Sequence, residues 1–173
     1  MKKTSIILIV LFILGSSFNQ RISVDTNAKL KAVFIYNFTK YIEWPKTYQE
    51  GYFVLGVVGE TPLFSELTKM AQTKKIGTQS ILVKKFSEIA DIDKCHLLYI
   101  TDDKSIEINA ILKKTKSTST LIITEQEGLV DKGAGINFVI RENKQKFEMN
   151  KRNIEIQKLK VSSNLEALAV TVK

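Results

Sequence analysis

The sequence predicts an α/β fold: a single domain built on a doubly wound, mostly parallel sheet of Rossmann-like or flavodoxin-like type, with an antiparallel hairpin at one edge. Three observations predict it. The runs YFVLGVVG (52–59), SILVKKF (80–86), HLLYIT (96–101) and TLIITE (120–125) are largely apolar, as strands covered on both faces are. Helical segments follow the first and third of these runs, so the connections are crossovers that place helices on the sheet. Finally, INFVI (136–140) and KFEMN (146–150) flank the polar stretch Glu142-Asn143-Lys144, which reads as a hairpin.

The elements can be justified in order. Leu30 to Pro45, LKAVFIYNFTKYIEWP, is an apolar helix rich in aromatics. At helical spacing Leu30, Val33, Phe34, Phe38 and Tyr41 fall on one stripe, with Asn37 inside it, so the Asn37 amide is expected to be buried and hydrogen-bonded. Pro45 lacks a backbone donor and disfavours a helical Trp44, so the helix is expected to end there. Trp44 and Tyr41 continue the apolar stripe and read as core, whereas Tyr48, beside Gln49 and Glu50, reads as surface. After the first strand, Thr61-Pro62 opens a helix to about Thr73, with Thr61 as its cap. Asp102-Asp103 lead into another helix that ends in cations near Lys116, as the helix dipole favours. A short helix near 151–158 and an apolar segment from Leu165 to Val172 close the chain.

Residues 1–17 read as a signal peptide. Lys2 and Lys3 precede an apolar run from Ile6 to Leu14, and Gly15, Ser16 and Ser17 follow. That order describes a secretory leader, and the run falls short of the roughly 20 residues a membrane span needs. Cleavage is expected within about residues 16–27. The product is then a soluble, exported, periplasmic chain without a transmembrane span, folded as one α/β domain over 28–172.

Composition narrows the function. The chain carries 26 basic and 18 acidic side chains, a formal charge of +8. Most cations are lysines in short clusters, such as Lys84-Lys85 and Lys113-Lys114. Nucleic-acid binders show arginine, interleaved aromatics or a recognisable module, so these clusters read as solvated faces and no nucleic-acid partner is expected. The single Cys95 cannot close a disulfide within the chain.

No catalytic, metal or cofactor constellation is legible. Cys95-His96 are adjacent on a strand, so their side chains point to opposite faces and cannot form a dyad. The sequence has one histidine, which leaves zinc short of ligands. Cys95 reads as a small buried hydrophobe. Asp102-Asp103 are explained by helix capping. Gly56-Val57-Val58-Gly59 lacks both common nucleotide-binding glycine patterns. The carboxyl ends of the strands, near Gly59, Thr101 and Thr124, form the natural crevice for a small ligand in such a fold. An enzyme is not expected.

Five segments taken in order, LKAVFIYNFTKYIEWP, FVLGVVGETPL (53–63), CHLLYI (95–100), GAGINFVIRENKQKFEMN (133–150) and LKVSSNLEALA (159–169), resemble those of the YfiR family of small periplasmic bacterial proteins. The resemblance implies a non-enzymatic regulator that represses the periplasmic part of an inner-membrane signalling protein, a diguanylate cyclase or sensor kinase, and so bears on cyclic-di-GMP and biofilm control. It also implies the same α/β architecture. Better-known relatives have more cysteines, so redox switching by an internal bridge does not transfer to a chain with Cys95 alone. Homodimerisation would match the twofold symmetry of such a partner. Tyr48, Leu159, Val161, Leu165 and Leu168 are the partner-binding candidates, and Asn37, Trp44, Pro45 and Cys95 the structural ones. The alternative reading is a small-ligand-binding module that uses the strand-end crevice.

Overall fold

The computed structural model describes residues 26–116 and 118–173; the leader read in residues 1–17 lies outside them. A first helix, α1, covers residues 26–38. It is followed by β1 (Ile42–Glu43), β2 (Phe53–Val58), α2 (Leu63–Ala71), β3 (Lys75–Ile76), β4 (Gln79–Phe86), β5 (Leu97–Ile100), α3 (Ile108–Lys114) and β6 (Leu121–Thr124). The chain continues through β7 (Ile136–Arg141), β8 (Lys144–Met149), α4 (Lys151–Ile156), β9 (Lys160–Val161), α5 (Ser163–Leu168) and β10 (Thr171–Val172).

Eight strands form one sheet in the order β10-β8-β7-β6-β5-β2-β4-β3. Strands β4, β2, β5, β6 and β7 are parallel neighbours. In chain order this core reads 2-1-3-4-5, the flavodoxin-like arrangement. Its buried strands are apolar because both faces are covered. α1, α2, α4 and α5 contribute to a core containing Ile35, Phe38, Leu63, Leu67, Ile154 and Leu165, and α3 to a second core with Ile108 and Ile111. β7 and β8 form the expected hairpin. Glu142 and Asn143 turn it with φ of 53° and 58°, the left-handed pair a two-residue hairpin turn requires. The hairpin does not end the sheet, because β10 adds in parallel beyond β8. A separate antiparallel pair joins β1 to β9.

Several boundaries differ from the sequence reading. α1 stops at residue 38, well before Trp44-Pro45, because the chain must turn at 39–41 to pair Ile42 with Val161. Its buried face is also rotated. Ala28, Ala32, Ile35 and Phe38 are buried, whereas Leu30 and Val33 are exposed. The helix is apolar nearly all round, so periodicity alone does not choose the face that meets the sheet. Asn37 is therefore only half-buried, and its Oδ1 accepts from Lys40 Nζ at 2.9 Å on the exposed side. Asp102 and Asp103 make no capping bond to the α3 backbone. Asp103 instead accepts from the Thr101 hydroxyl. The apolar segment 165–172 divides between α5 and β10.

Candidate functional site

Three places carry chemistry, and the topology explains each. From β2 the chain moves to β4 on one side and then crosses back past β2 to β5 on the other. β2 and β5 thus flank the switch point where the direction of winding reverses and a crevice opens. Gly59 ends β2 with φ +97°, and a Cβ there would lie 1.9 Å from Thr101 Oγ1. Glycine thus brings the two strand ends together. A crevice of about 430 Å³ lies there, lined by Asn27, Lys31, Thr61, Thr101, Asp103 and Glu125 among others. Thr61 Oγ1 accepts from the Leu63 amide at 3.2 Å and so steadies the start of α2. Lys31 reaches from α1 to ion-pair with Glu125 and lies 5.8 Å from the centre of the Phe138 ring. A second hollow of about 400 Å³ also borders this pair, lined by Phe138, Arg141 and Gln145. The Tyr99 phenol is fully buried, and no hydrogen bond of ordinary geometry reaches its hydroxyl. Burial first, and then the Glu125 charge, push its pKa up. Thr124, expected at this crevice, is turned instead to Asn137, donating to its Oδ1 at 2.7 Å.

The second place is a groove of about 350 Å³ between α1, β8 and α5. Phe34, Phe38, Tyr41 and Phe147 line it together with Leu165 and Leu168, and Lys40 and Lys146 contribute to its walls. The Phe38 and Phe147 rings meet edge to face at 4.8 Å, a geometry aromatic pairs prefer. A shallower depression of about 300 Å³ shares Lys40 and Tyr41 with the groove and adds Val161 and Lys160.

The third place is His96. Its Nδ1 accepts from the Val54 amide at 3.0 Å, and its Nε2 lies 2.7 Å from the Tyr48 carbonyl oxygen. Because Nδ1 accepts, Nε2 carries the proton and donates to Tyr48 O. The ring stacks on Phe53 at 4.2 Å, and Trp44 Nε1 donates to the His96 carbonyl at 3.1 Å. Burial lowers the imidazole pKa, opposed by the bond to Tyr48, and the charge of Lys94 lowers it further. Cys95 lies in the other core, among residues such as Leu98 and Ile100, and burial pushes its thiol up to about 12. Both His96 nitrogens are engaged by backbone, so this pair supports structure.

The structure separates the partner-binding candidates. Tyr48 is buried, against expectation, because its hydroxyl accepts from the Ser119 amide at 3.0 Å. Leu159 and Leu165 are also buried, because the final turns fold their apolar side chains into the core under α1. Leu168 is 59% exposed and Val161 is partly exposed. Leu165 and Leu168 line the aromatic groove, and Val161 lines its extension. Trp44 is buried, Pro45 is partly exposed at the start of a short 3-10 turn, and Cys95 is buried. Sequence reasoning missed Gln145, which is buried, lines the groove and leaves Oε1 without a hydrogen-bond partner. Its position in an alternating hairpin strand was the available signal, since Gln145 shares a face with Phe147 and Met149.

Among the described residues, no group of three or more His, Cys, Asp or Glu is placed to hold a metal ion, and no helix is long and apolar enough to cross a membrane. The molecule is thus an α/β module of flavodoxin-like strand order with a strand-end crevice and an aromatic groove. The chain belongs to the DUF4154 family, described as YfiR/HmsC-like, which it matches over residues 28–170. No match was found among curated proteins. A crystal structure of an ABC domain in complex with L-Trp from Streptococcus pneumonia is similar in fold, with a TM-score of 0.53 and 11% identity. The likeness covers 69% of this chain and 55% of that one, so this chain spans about half the length of that structure.

Proposed function

We propose that this protein is an exported, non-enzymatic regulator that binds the periplasmic part of an inner-membrane signalling protein, a diguanylate cyclase or sensor kinase, and holds it inactive. Release then raises cyclic-di-GMP and favours biofilm. Membership of the YfiR/HmsC-like family over residues 28–170 is the observation that supports this reading. Export rests on the charged, apolar and small-residue order of the first 17 residues. No cofactor is part of the proposal. Deletion of the gene should raise cyclic-di-GMP only in cells that carry the membrane partner. An equal rise after the partner is removed, or turnover of a substrate by the purified chain, overturns the reading.

A second reading, a small-ligand-binding module, is favoured by one observation: the crevice at the β2/β5 switch point carries the Lys31–Glu125 pair on its wall. A ligand bearing either charge would exchange with one member of that pair. Isothermal titration of wild type against Glu125→Gln with small charged metabolites tests it, and heat that is identical for both chains counts against the crevice.

A further inference from the structure

We propose that the aromatic groove between α1, β8 and α5 is a docking site for an extended or helical segment of a partner protein that carries a bulky apolar side chain beside a carboxylate. The inference rests on the regulatory reading above and names the surface and the chemistry by which that partner is held. Four features of the groove carry it.

The walls are aromatic and aliphatic. Phe34, Tyr41 and Phe147 line the groove together with Leu168, which is 59% exposed. An exposed leucine beside a cluster of phenylalanines offers a bulky apolar side chain the kind of desolvated pocket in which interface anchors concentrate. The charge has one sign. The lining includes Lys40 and Lys146 and no carboxylate. Among the described residues neither lysine takes part in an ion pair; Lys40 Nζ donates to the neutral Asn37 amide oxygen and lies 4.8 Å from the Tyr36 ring centre. An acidic occupant meets two uncompensated cations, whereas a basic one is repelled.

The third feature is an unused acceptor. Gln145 is more than nine-tenths buried, its Nε2 donates to the Val139 and Lys146 carbonyls, and its Oε1 has no partner. A buried oxygen left unpaired is costly. Oε1 is sealed beneath the surface, and Gln145 borders both this groove and the hollow beside Arg141, so an occupant's N–H satisfies it only by turning the Gln145 side chain outward. Length is the fourth. At about 350 Å³ the groove lies at the lower end of ligand pockets, roughly 300–1,000 Å³. It does not end there, because the neighbouring depression shares Lys40 and Tyr41 with it and continues to Val161, past Glu43. The Glu43 carboxylate is paired with Lys160, which leaves Lys40 and Lys146 as the unpaired charges among the described residues lining the two. A surface that runs on past one anchor pocket suits a chain of residues rather than a compact small molecule.

The test places a photoreactive side chain at the rim of the groove in the full-length protein and reads what it touches in the cell. Leu168→p-benzoylphenylalanine puts the probe on an exposed position, and Ile106→p-benzoylphenylalanine, 89% exposed before α3, serves as the control. After irradiation the adduct is digested and sequenced by tandem mass spectrometry. The expected adduct from position 168 maps to a segment of another protein with an aromatic or large aliphatic residue and a carboxylate within one helical turn. The double change Lys40→Glu with Lys146→Glu should lower its yield at least tenfold, and Lys113→Glu with Lys114→Glu should leave it unchanged. Circular dichroism of each variant confirms that it is folded.

An adduct to a second copy of this chain, a small-molecule adduct or the absence of any adduct overturns the proposal. So does an equal yield from position 106, a captured segment that is basic, or a yield indifferent to the lysine changes. Regulation that persists while the groove variants lose their adduct overturns the docking site and leaves the regulatory function standing. Regulation that is independent of the membrane partner overturns that function first.

Discussion

The Nδ1 atom of His96 accepts a hydrogen bond from the Val54 amide at 3.0 Å. Protonation of that nitrogen would set one N–H against another, so the fold holds the imidazole neutral. The consequence reaches the segment between Trp44 and Val54, which is tied down at both ring nitrogens and at the His96 carbonyl.

Stability should fall on mild acidification. The His96 pKa is lowered on folding from an ordinary value of 6.5, so the unfolded chain binds more protons just below that pH. The contribution is fully present above pH 6.5 and is lost as pH falls towards the lower folded value. Asp93, whose pKa is lowered from 3.8 by its bond to the Lys94 amide and by Lys84, adds its own loss only below about that pH. Thermal melts at pH 7 and pH 5 should differ more for wild type than for His96→Gln. At pH 7 the variant should itself lose about 1–3 kcal/mol, the cost of the buried bonds it disturbs.

Gly59→Ala should destabilise the fold by at least about 2 kcal/mol, since it combines left-handed strain with a collision. The new methyl group meets Thr101 Oγ1 at 1.9 Å. Gly128→Ala is the matched control. Its φ is +82° but nothing lies within 4 Å of the added carbon, so only strain of about 1–2 kcal/mol remains. Urea denaturation midpoints of the two variants check the difference.

Tyr48→Phe should cost about 1–3 kcal/mol, because it leaves the buried Ser119 amide without its acceptor. Leu168→Ser, on an exposed side chain, should change stability by no more than about 0.5 kcal/mol. Regulation measured in cells should respond in the opposite order once protein levels are matched, with Leu168→Ser the more damaging.

Cys95 should be silent towards thiol chemistry in the native state. Its thiol is buried and pushed up to about 12, which leaves almost no thiolate at pH 8. A disulfide-exchange reagent should label it only after unfolding in guanidinium. Reducing agent should leave the melting temperature unchanged, and a drop would mean that Cys95 bridges two chains.

The parallel core was legible because strands covered on both sides must be apolar along their length, as in 53–58, 97–100 and 121–124. The hairpin was legible because Glu142 to Lys144 separate the apolar run 136–140 from the alternating segment 146–150. Gly59 was legible as the end of a strand, though not as the residue that admits Thr101. For the groove, the sequence supplied Val161, Leu165 and Leu168 as candidates. The alternation of β8 puts Gln145 on the face of Phe147 and Met149, but that its Oε1 is left without a partner is visible only in the tertiary structure.

What the sequence by itself determined is therefore the order and type of the main elements, since these follow from local hydrophobic period and turn chemistry. Which face of α1 meets the sheet was decided by tertiary structure. Leu30, Ala32, Val33, Phe34 and Ile35 are apolar on every side, and only packing against α2 and the sheet selects Ala32 and Ile35 for burial. The same holds for Tyr48. Its neighbours Gln49 and Glu50 mark a surface, but its hydroxyl finds Ser119, 71 residues away, and a contact of that range leaves no trace in local sequence.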